Sequence, residues 1–176
     1  MNVAIVGATG YGGIQAVNLL KNNENYKISY LGGNKSSGSK WNDNFPFINL
    51  PSDNLIEEIS IERIAEKSNV ALLCLPNGIS STLTRGLLGR GIKVIDLSAD
   101  YRYKSLNQWK KVYSKESSKY KRDDDDLCKE AVYGLPEIYS NAISKARLIA
   151  CPGCYPTSAL IPLIPFLTQG IIENEG

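Results

Sequence analysis

At 176 residues the chain is long enough for one domain with a real core and too short for two full ones. Its 43% hydrophobic and 22% charged content is that of an ordinary soluble globular protein, and its net charge of +2, spread without a basic patch, gives no support for a nucleic-acid partner. No apolar run approaches the roughly 20 residues of a membrane span.

The chain opens with Val3-Ala4-Ile5-Val6, an apolar run suited to a strand buried on both faces. A glycine-rich turn, GATGYGG, follows, and then a segment in which Ile14, Val17 and Leu20 fall at helical spacing. KISYL (Lys27–Leu31) reads as a second strand, and residues 34–53, rich in Ser, Asn, Gly and Pro, as a long loop. Ser60 is placed to cap a short helix, IERIAEKS, ahead of a third clear strand, VALLCL (Val70–Leu75). Residues 80–88 read as a helix and KVIDL (Lys93–Leu97) as the next strand. Between residues 101 and 130 an aromatic, lysine-rich stretch leads to Asp123–Asp126, an acidic run read as a solvated loop. Residues 147–150 form a final strand, Thr157–Leu167 a helix despite Pro162 and Pro165, and Ile171-Ile172 the start of a further strand. Strand, helix and strand alternate, which argues for a parallel sheet covered by helices.

Gly7-x-x-Gly10-x-x-Gly13 sits between the first strand and the first helix. One glycine makes the tight turn, another lets backbone N–H groups approach a pyrophosphate, and the third lets helix pack against strand. The turn therefore reads as a dinucleotide site, with Gly7, Thr9, Gly10, Tyr11, Gly12 and Gly13 as candidate contacts. An NAD-specific site usually offers an acid after the second strand, to hold the ribose 2′-hydroxyl. Here that segment is GGNKSSGSK, without one, so the expected cofactor is NADP(H), with Lys35, Ser36 and Ser37 as candidate 2′-phosphate contacts.

The four cysteines, at 74, 128, 151 and 154, are too few and too unevenly placed for a secreted disulfide framework. With no basic n-region or cleavage site at the N-terminus, the expected compartment is a reducing cytoplasm. The chain has no histidine, the commonest acid–base group and metal ligand. Cys151 and Cys154, in ACPGCYPTSAL, lack a second ligand pair, so no metal site is expected. Strand–CxxC–helix is the local order of a thioredoxin-like redox pair, although that fold places its motif early and does not open with a nucleotide-binding turn. The remaining reading is a nucleophile at position 154 just before a helix, where free N–H groups and the helix dipole favour a thiolate.

GATGYGG, LCLPNG, VIDLSADYR, YGLPE and above all CPGCYPTSALIPLIP closely resemble the N-acetyl-γ-glutamyl-phosphate reductases of arginine biosynthesis, in the right order from Met1 to Gly176. The resemblance implies that Cys154 is the nucleophile and Cys151 an incidental neighbour. It places Pro76 and Asn77 against the cofactor, though many members carry His at Asn77, and makes Ser98, Arg102 and Glu137 candidate substrate contacts. Arg102 is the candidate for the phosphoryl group, since a planar bidentate cation fits it, with a loop pair to Asp100 as the competing reading. The family's catalytic histidine is absent, so the resemblance covers the N-terminal half of such an enzyme.

The expected architecture is thus a Rossmann-like α/β domain over 1–150 and the start of a second, substrate-binding and dimerising α+β domain over 151–176. The expected reaction is NADPH-dependent reduction of an acyl phosphate through a cysteine thioester, in a homo-oligomer when whole. Aspartate-semialdehyde dehydrogenase shares the turn and mechanism but not PGCYPT, and a lysine-branch acyl-phosphate reductase has similar core motifs. A short-chain dehydrogenase is disfavoured, because no Tyr-x-x-x-Lys occurs. The competing class is a non-catalytic NADP-binding module.

Overall fold

Val3, Ala4, Ile5 and Val6 are all buried, as a strand covered on both faces requires. In the computed structural model, which describes residues 1–50, 54–113, 115, 119, 121–173 and 175, they belong to β1 (Asn2–Val6). The other strands of the described residues are β2 (Lys27–Gly32), β3 (Ile56–Glu57), β4 (Val70–Leu73), β5 (Lys93–Asp96), β6 (Val132–Tyr133) and β7 (Leu148–Ala150). They form one sheet in the order β3-β2-β1-β4-β5-β7-β6, with every pairing parallel. All seven carboxyl ends therefore emerge at one edge. The order reverses between β1 and β4, the switch point at which open α/β sheets bind ligands.

Helices cover both faces. Ala4, Val6, Ala71 and Leu73 meet Ile64 of α3 (Ile61–Lys67), Leu87 of α4 (Ser80–Gly89), Trp109 of α5 (Leu106–Val112) and Leu127 of α6 (Asp125–Glu130). On the other face Val3 and Ile5 meet Ala16 and Val17 of α1 (Tyr11–Leu20) and Trp41 of α2 (Trp41–Asn44). Burying one such aliphatic side chain contributes roughly 1.5–3 kcal/mol. Ser60 caps α3 as its position suggests, its hydroxyl accepting from the Arg63 amide at 3.3 Å. This second face also carries α7 (Pro136–Lys145), and the strip between α1 and α7 is open: Leu72, Ile95 and Ile149 line an apolar groove of about 750 Å³.

Four expectations need correction. Residues 34–53 are not simply a loop: a 3-10 turn (Asn34–Ser36) and α2 lie within them, and Trp41 is wholly buried, donating to the Ile48 carbonyl at 2.8 Å and stacking on Phe45. The end of that loop, 51–53, lies outside the described residues, as do 114, 116–118 and 120 of the lysine-rich stretch. Asp123–Asp126 is not a uniformly solvated run: Asp124 is buried against Arg122 and Tyr101, and Asp125 opens α6. The last helix, α8 (Cys154–Thr168), starts at Cys154 rather than near Thr157. Pro156 occupies its third position, where an N–H would lack an intrahelical partner anyway. Ile171 and Ile172 lie in a bend, not a strand.

Candidate active site

The glycine turn joins β1 to α1 at the switch point. Gly7 has φ +82°, and a Cβ there would lie 2.3 Å from the Cys74 carbonyl oxygen; a Cβ on Gly13 would lie 2.2 Å from the Gly7 carbonyl oxygen. These two glycines permit the left-handed turn and the close approach of helix to strand. A Cβ at Gly10 or Gly12 would make only ordinary contacts, at 3.5 Å and 3.7 Å, so internal packing does not account for their bareness. Gly10 is the N-cap of α1 and no described side chain caps that helix. Its first-turn N–H groups are therefore available to an anion, which fits the pyrophosphate of a dinucleotide. Tyr11 opens the helix with its side chain exposed.

The end of β2 lies beside this turn. The amides of Gly7 and Ala8 both donate to the Gly32 carbonyl at 2.9 Å, and a Cβ on Gly33 would sit 3.4 Å from Thr9. Lys35 and Ser37 are exposed and Ser36 half-buried on the 3-10 turn that follows. Asn34 stands beyond the strand, its Oδ1 accepting from the Ile59 amide. The neighbouring Glu57 carboxylate is paired with Lys67 at 2.5 Å and Arg63 at 3.3 Å.

Three further loops leave the same edge and are laced together. After β4, Pro76 is exposed and Asn77 half-buried, with Asn77 Oδ1 accepting from the Ala99 amide at 2.9 Å. After β5, Ser98 is buried; its hydroxyl donates to Asp96 at 2.7 Å and accepts from the Asp100 amide at 3.1 Å. Arg102 does not pair with Asp100. Its Nε donates to the Cys151 carbonyl at 2.8 Å and an Nη to the Leu97 carbonyl at 3.0 Å, while its other Nη would lie 3.3 Å from a Cβ on Gly153. One edge of the guanidinium thus ties β5 to the cysteine loop, and the other faces the backbone just before Cys154. After β6, the Gly134 amide donates to the Ala150 carbonyl at 2.8 Å, which brings the YGLPE turn against that loop. Glu137 ends it, exposed in the first turn of α7.

The two cysteines of CPGC differ sharply. Cys154 is exposed at the first position of α8, with Gly153 as N-cap and no side-chain cap. Cys151 is half-buried, and its burial, with the charge of Asp96, pushes its thiol up to about 11 against the opposing effect of Arg102. Burial likewise pushes Cys74 to about 12 and Cys128 to about 11. The exposed thiol at a helix N-terminus is thus the one placed to act as a nucleophile.

Residues 2–146 match the protein family described as semialdehyde dehydrogenase, NAD binding domain. The chain belongs to that family. It is 86% identical over all 176 residues to the N-acetyl-gamma-glutamyl-phosphate reductase of Prochlorococcus marinus subsp. pastoris (strain CCMP1986 / NIES-2087 / MED4), covering 50% of that protein. It is 55% identical over 174 residues to the reductase of the same name from Prochlorococcus marinus (strain MIT 9211), covering 99% of this chain and 48% of that one. The chain thus spans about half the length of the curated relatives it matches. Among solved structures, aspartate semialdehyde dehydrogenase with NADP from Candida albicans has a TM-score of 0.67 at 17% identity, covering 96% of this chain and 47% of that one. Aspartate semialdehyde dehydrogenase II complexed with ASA from Vibrio cholerae has a TM-score of 0.66 at 21% identity, covering 95% and 46%. These likenesses show the Rossmann-like fold.

One buried cation beneath this edge was not legible from the residues. The Arg122 side chain is only 2% exposed, and it binds Asp124 and the Asp100 backbone. Nothing local distinguishes it, because the aromatic residues that enclose it, Tyr101 and Trp109, are distant in sequence.

Proposed function

We propose that this chain supplies the cofactor-binding and nucleophile-bearing part of an N-acetyl-γ-glutamyl-phosphate reductase, which converts N-acetyl-γ-glutamyl phosphate to N-acetylglutamate 5-semialdehyde with release of phosphate. The observation that most supports this reading is the 86% identity, over all of this chain and half of the relative, to a reductase of that name. The exposed Cys154 at the sheet edge that carries the glycine turn agrees with it.

In this reading the Cys154 sulfur attacks the acyl carbon, the C–O bond to phosphate breaks, and a thioester remains on the protein. The amides at the start of α8 and the free edge of Arg102 favour the negative charge that develops beside the cysteine. The first-turn amides of α1 hold the pyrophosphate, and Lys35, Ser36 and Ser37 the 2′-phosphate of NADP(H). The cofactor, when bound there, supplies the hydride that takes the thioester to the aldehyde level. Ser98 orders the Asp96–Asp100 loop from within, and Glu137 borders the substrate side of the YGLPE turn. Residues 151–176 open the substrate domain of a cytoplasmic homo-oligomer.

The test uses the protein as its cell makes it, with NADPH consumption as readout. Cys154→Ala is expected to abolish turnover, and Cys151→Ser to retain most of it. The reverse result overturns the assignment of the nucleophile.

A further inference from the structure

The proposed site leaves a buried ion cluster beneath it without a role. Asp100 is wholly buried, yet its carboxylate reaches the neighbouring loop: Oδ1 accepts from the Gly78 amide at 2.6 Å and Oδ2 from the Ser81 amide at 2.9 Å. Gly78, at φ +85°, is the bend of that loop, and Ser81 lies in the first turn of α4. Below Asp100, Arg122 donates to its backbone carbonyl at 2.9 Å and lies 3.8 Å from its carboxylate. Arg122 also forks onto Asp124 with two bonds of 3.0 Å and is enclosed by the rings of Trp109 and Tyr101, at 4.4 Å and 5.1 Å. Tyr101 completes the cluster by donating to Asp124 at 2.7 Å.

A buried carboxylate is stable only with charge-assisted bonds and a nearby cation, and here both are present. Removing one partner leaves the other charge uncompensated, so the cluster resists distortion. Its carboxylate reaches the carboxyl edge at the 76–81 turn, which the Asn77–Ala99 bond also ties down. Strand order decides what that turn faces. With pyrophosphate at the start of α1 and the 2′-phosphate beyond β2, the other half of a dinucleotide bound there would extend over β4 and β5 toward the cysteine loop after β7. From β1 to β7 is three strand spacings, about 14 Å, and the 76–81 turn stands within that path.

We propose that Asp100, backed by Arg122, is a positioning residue for the nicotinamide half of the cofactor, acting through the 76–81 turn. This rests on the NADP(H) reading above. Loss of the carboxylate loosens the turn without touching the glycine turn or the Lys35–Ser37 segment. The two halves of the cofactor should therefore respond differently, which damage to the whole fold would not produce.

Calorimetric titration of the full chain with NADPH and with 2′-phospho-ADP-ribose, which lacks the nicotinamide, tests this. Asp100→Asn is expected to weaken NADPH about tenfold, the effect of one lost charge-assisted bond, and to leave 2′-phospho-ADP-ribose within about twofold. Arg122→Lys withdraws the bond to the Asp100 carbonyl and the fork to Asp124 at a residue outside every candidate cofactor contact, and should give the same split, so the test stands even if Asp100→Asn does not fold. Equal weakening of both ligands, or of neither, overturns the proposal. A wild-type chain that binds neither ligand instead overturns the cofactor reading on which it rests.

Discussion

Asp96 ends β5 directly under the cysteine loop, its backbone carbonyl accepting from the Cys151 amide at 2.8 Å. Its carboxyl is wholly buried, and burial pushes it from the ordinary 3.8 up to about 6, although bonds from Ser98 pull the other way. A carboxyl with a raised folded value holds its proton more tightly in the native state. The associated stability is fully present below 3.8 and is lost as pH rises through about 6. Urea unfolding of wild type and Asp96→Asn across that window should show the wild type losing on the order of 2–3 kcal/mol relative to the variant. A constant difference would mean that Asp96 titrates normally. Ionised Asp96 thus costs stability at neutral pH, and the bonds from the Ser98 amide and hydroxyl, at 3.0 and 2.7 Å, limit that cost.

At the level of elements, the βα alternation was legible because β1, β4 and β5 are short apolar runs bounded by Gly, Pro or polar residues, and α1 carries its apolar residues at helical spacing. What escaped lacks a period. β6 has two residues and takes its identity from pairing with β7. The helix α7 starts at Pro136, inside the YGLPE turn, buries no residue and carries a non-helical Tyr139, so it is a surface helix that the turn signal masks. In α2 the anchor is a single tryptophan whose ring nitrogen is satisfied by a loop carbonyl. At the site, the glycine turn and CPGC were legible as local patterns, whereas the Arg102 ties to two carbonyls and the Arg122 cluster are products of tertiary contact. The helix α8 is the opposite case: legible as a helix, yet with none of its residues buried and two prolines that cannot donate to the preceding turn. In the 176-residue chain taken by itself, its amides should exchange hydrogen much faster than those of β1 and β4, as amide exchange followed by mass spectrometry would show. Equal protection would contradict an uncovered α8.

Across the molecule, parallel pairing carries every candidate loop to one edge: the glycine turn after β1, the candidate phosphate contacts after β2, the Asp100-braced turn after β4, the Arg102 loop after β5 and the cysteine after β7. The order of strands is thus the order in which a dinucleotide and an acyl group would meet. The measurement that tests this account most directly is mass spectrometry of the protein, as its cell makes it, after exposure to N-acetyl-γ-glutamyl phosphate without cofactor. The account predicts an acyl adduct confined to Cys154, discharged when NADPH is added. An adduct on Cys151, or no adduct in a protein that nonetheless turns over, would contradict it.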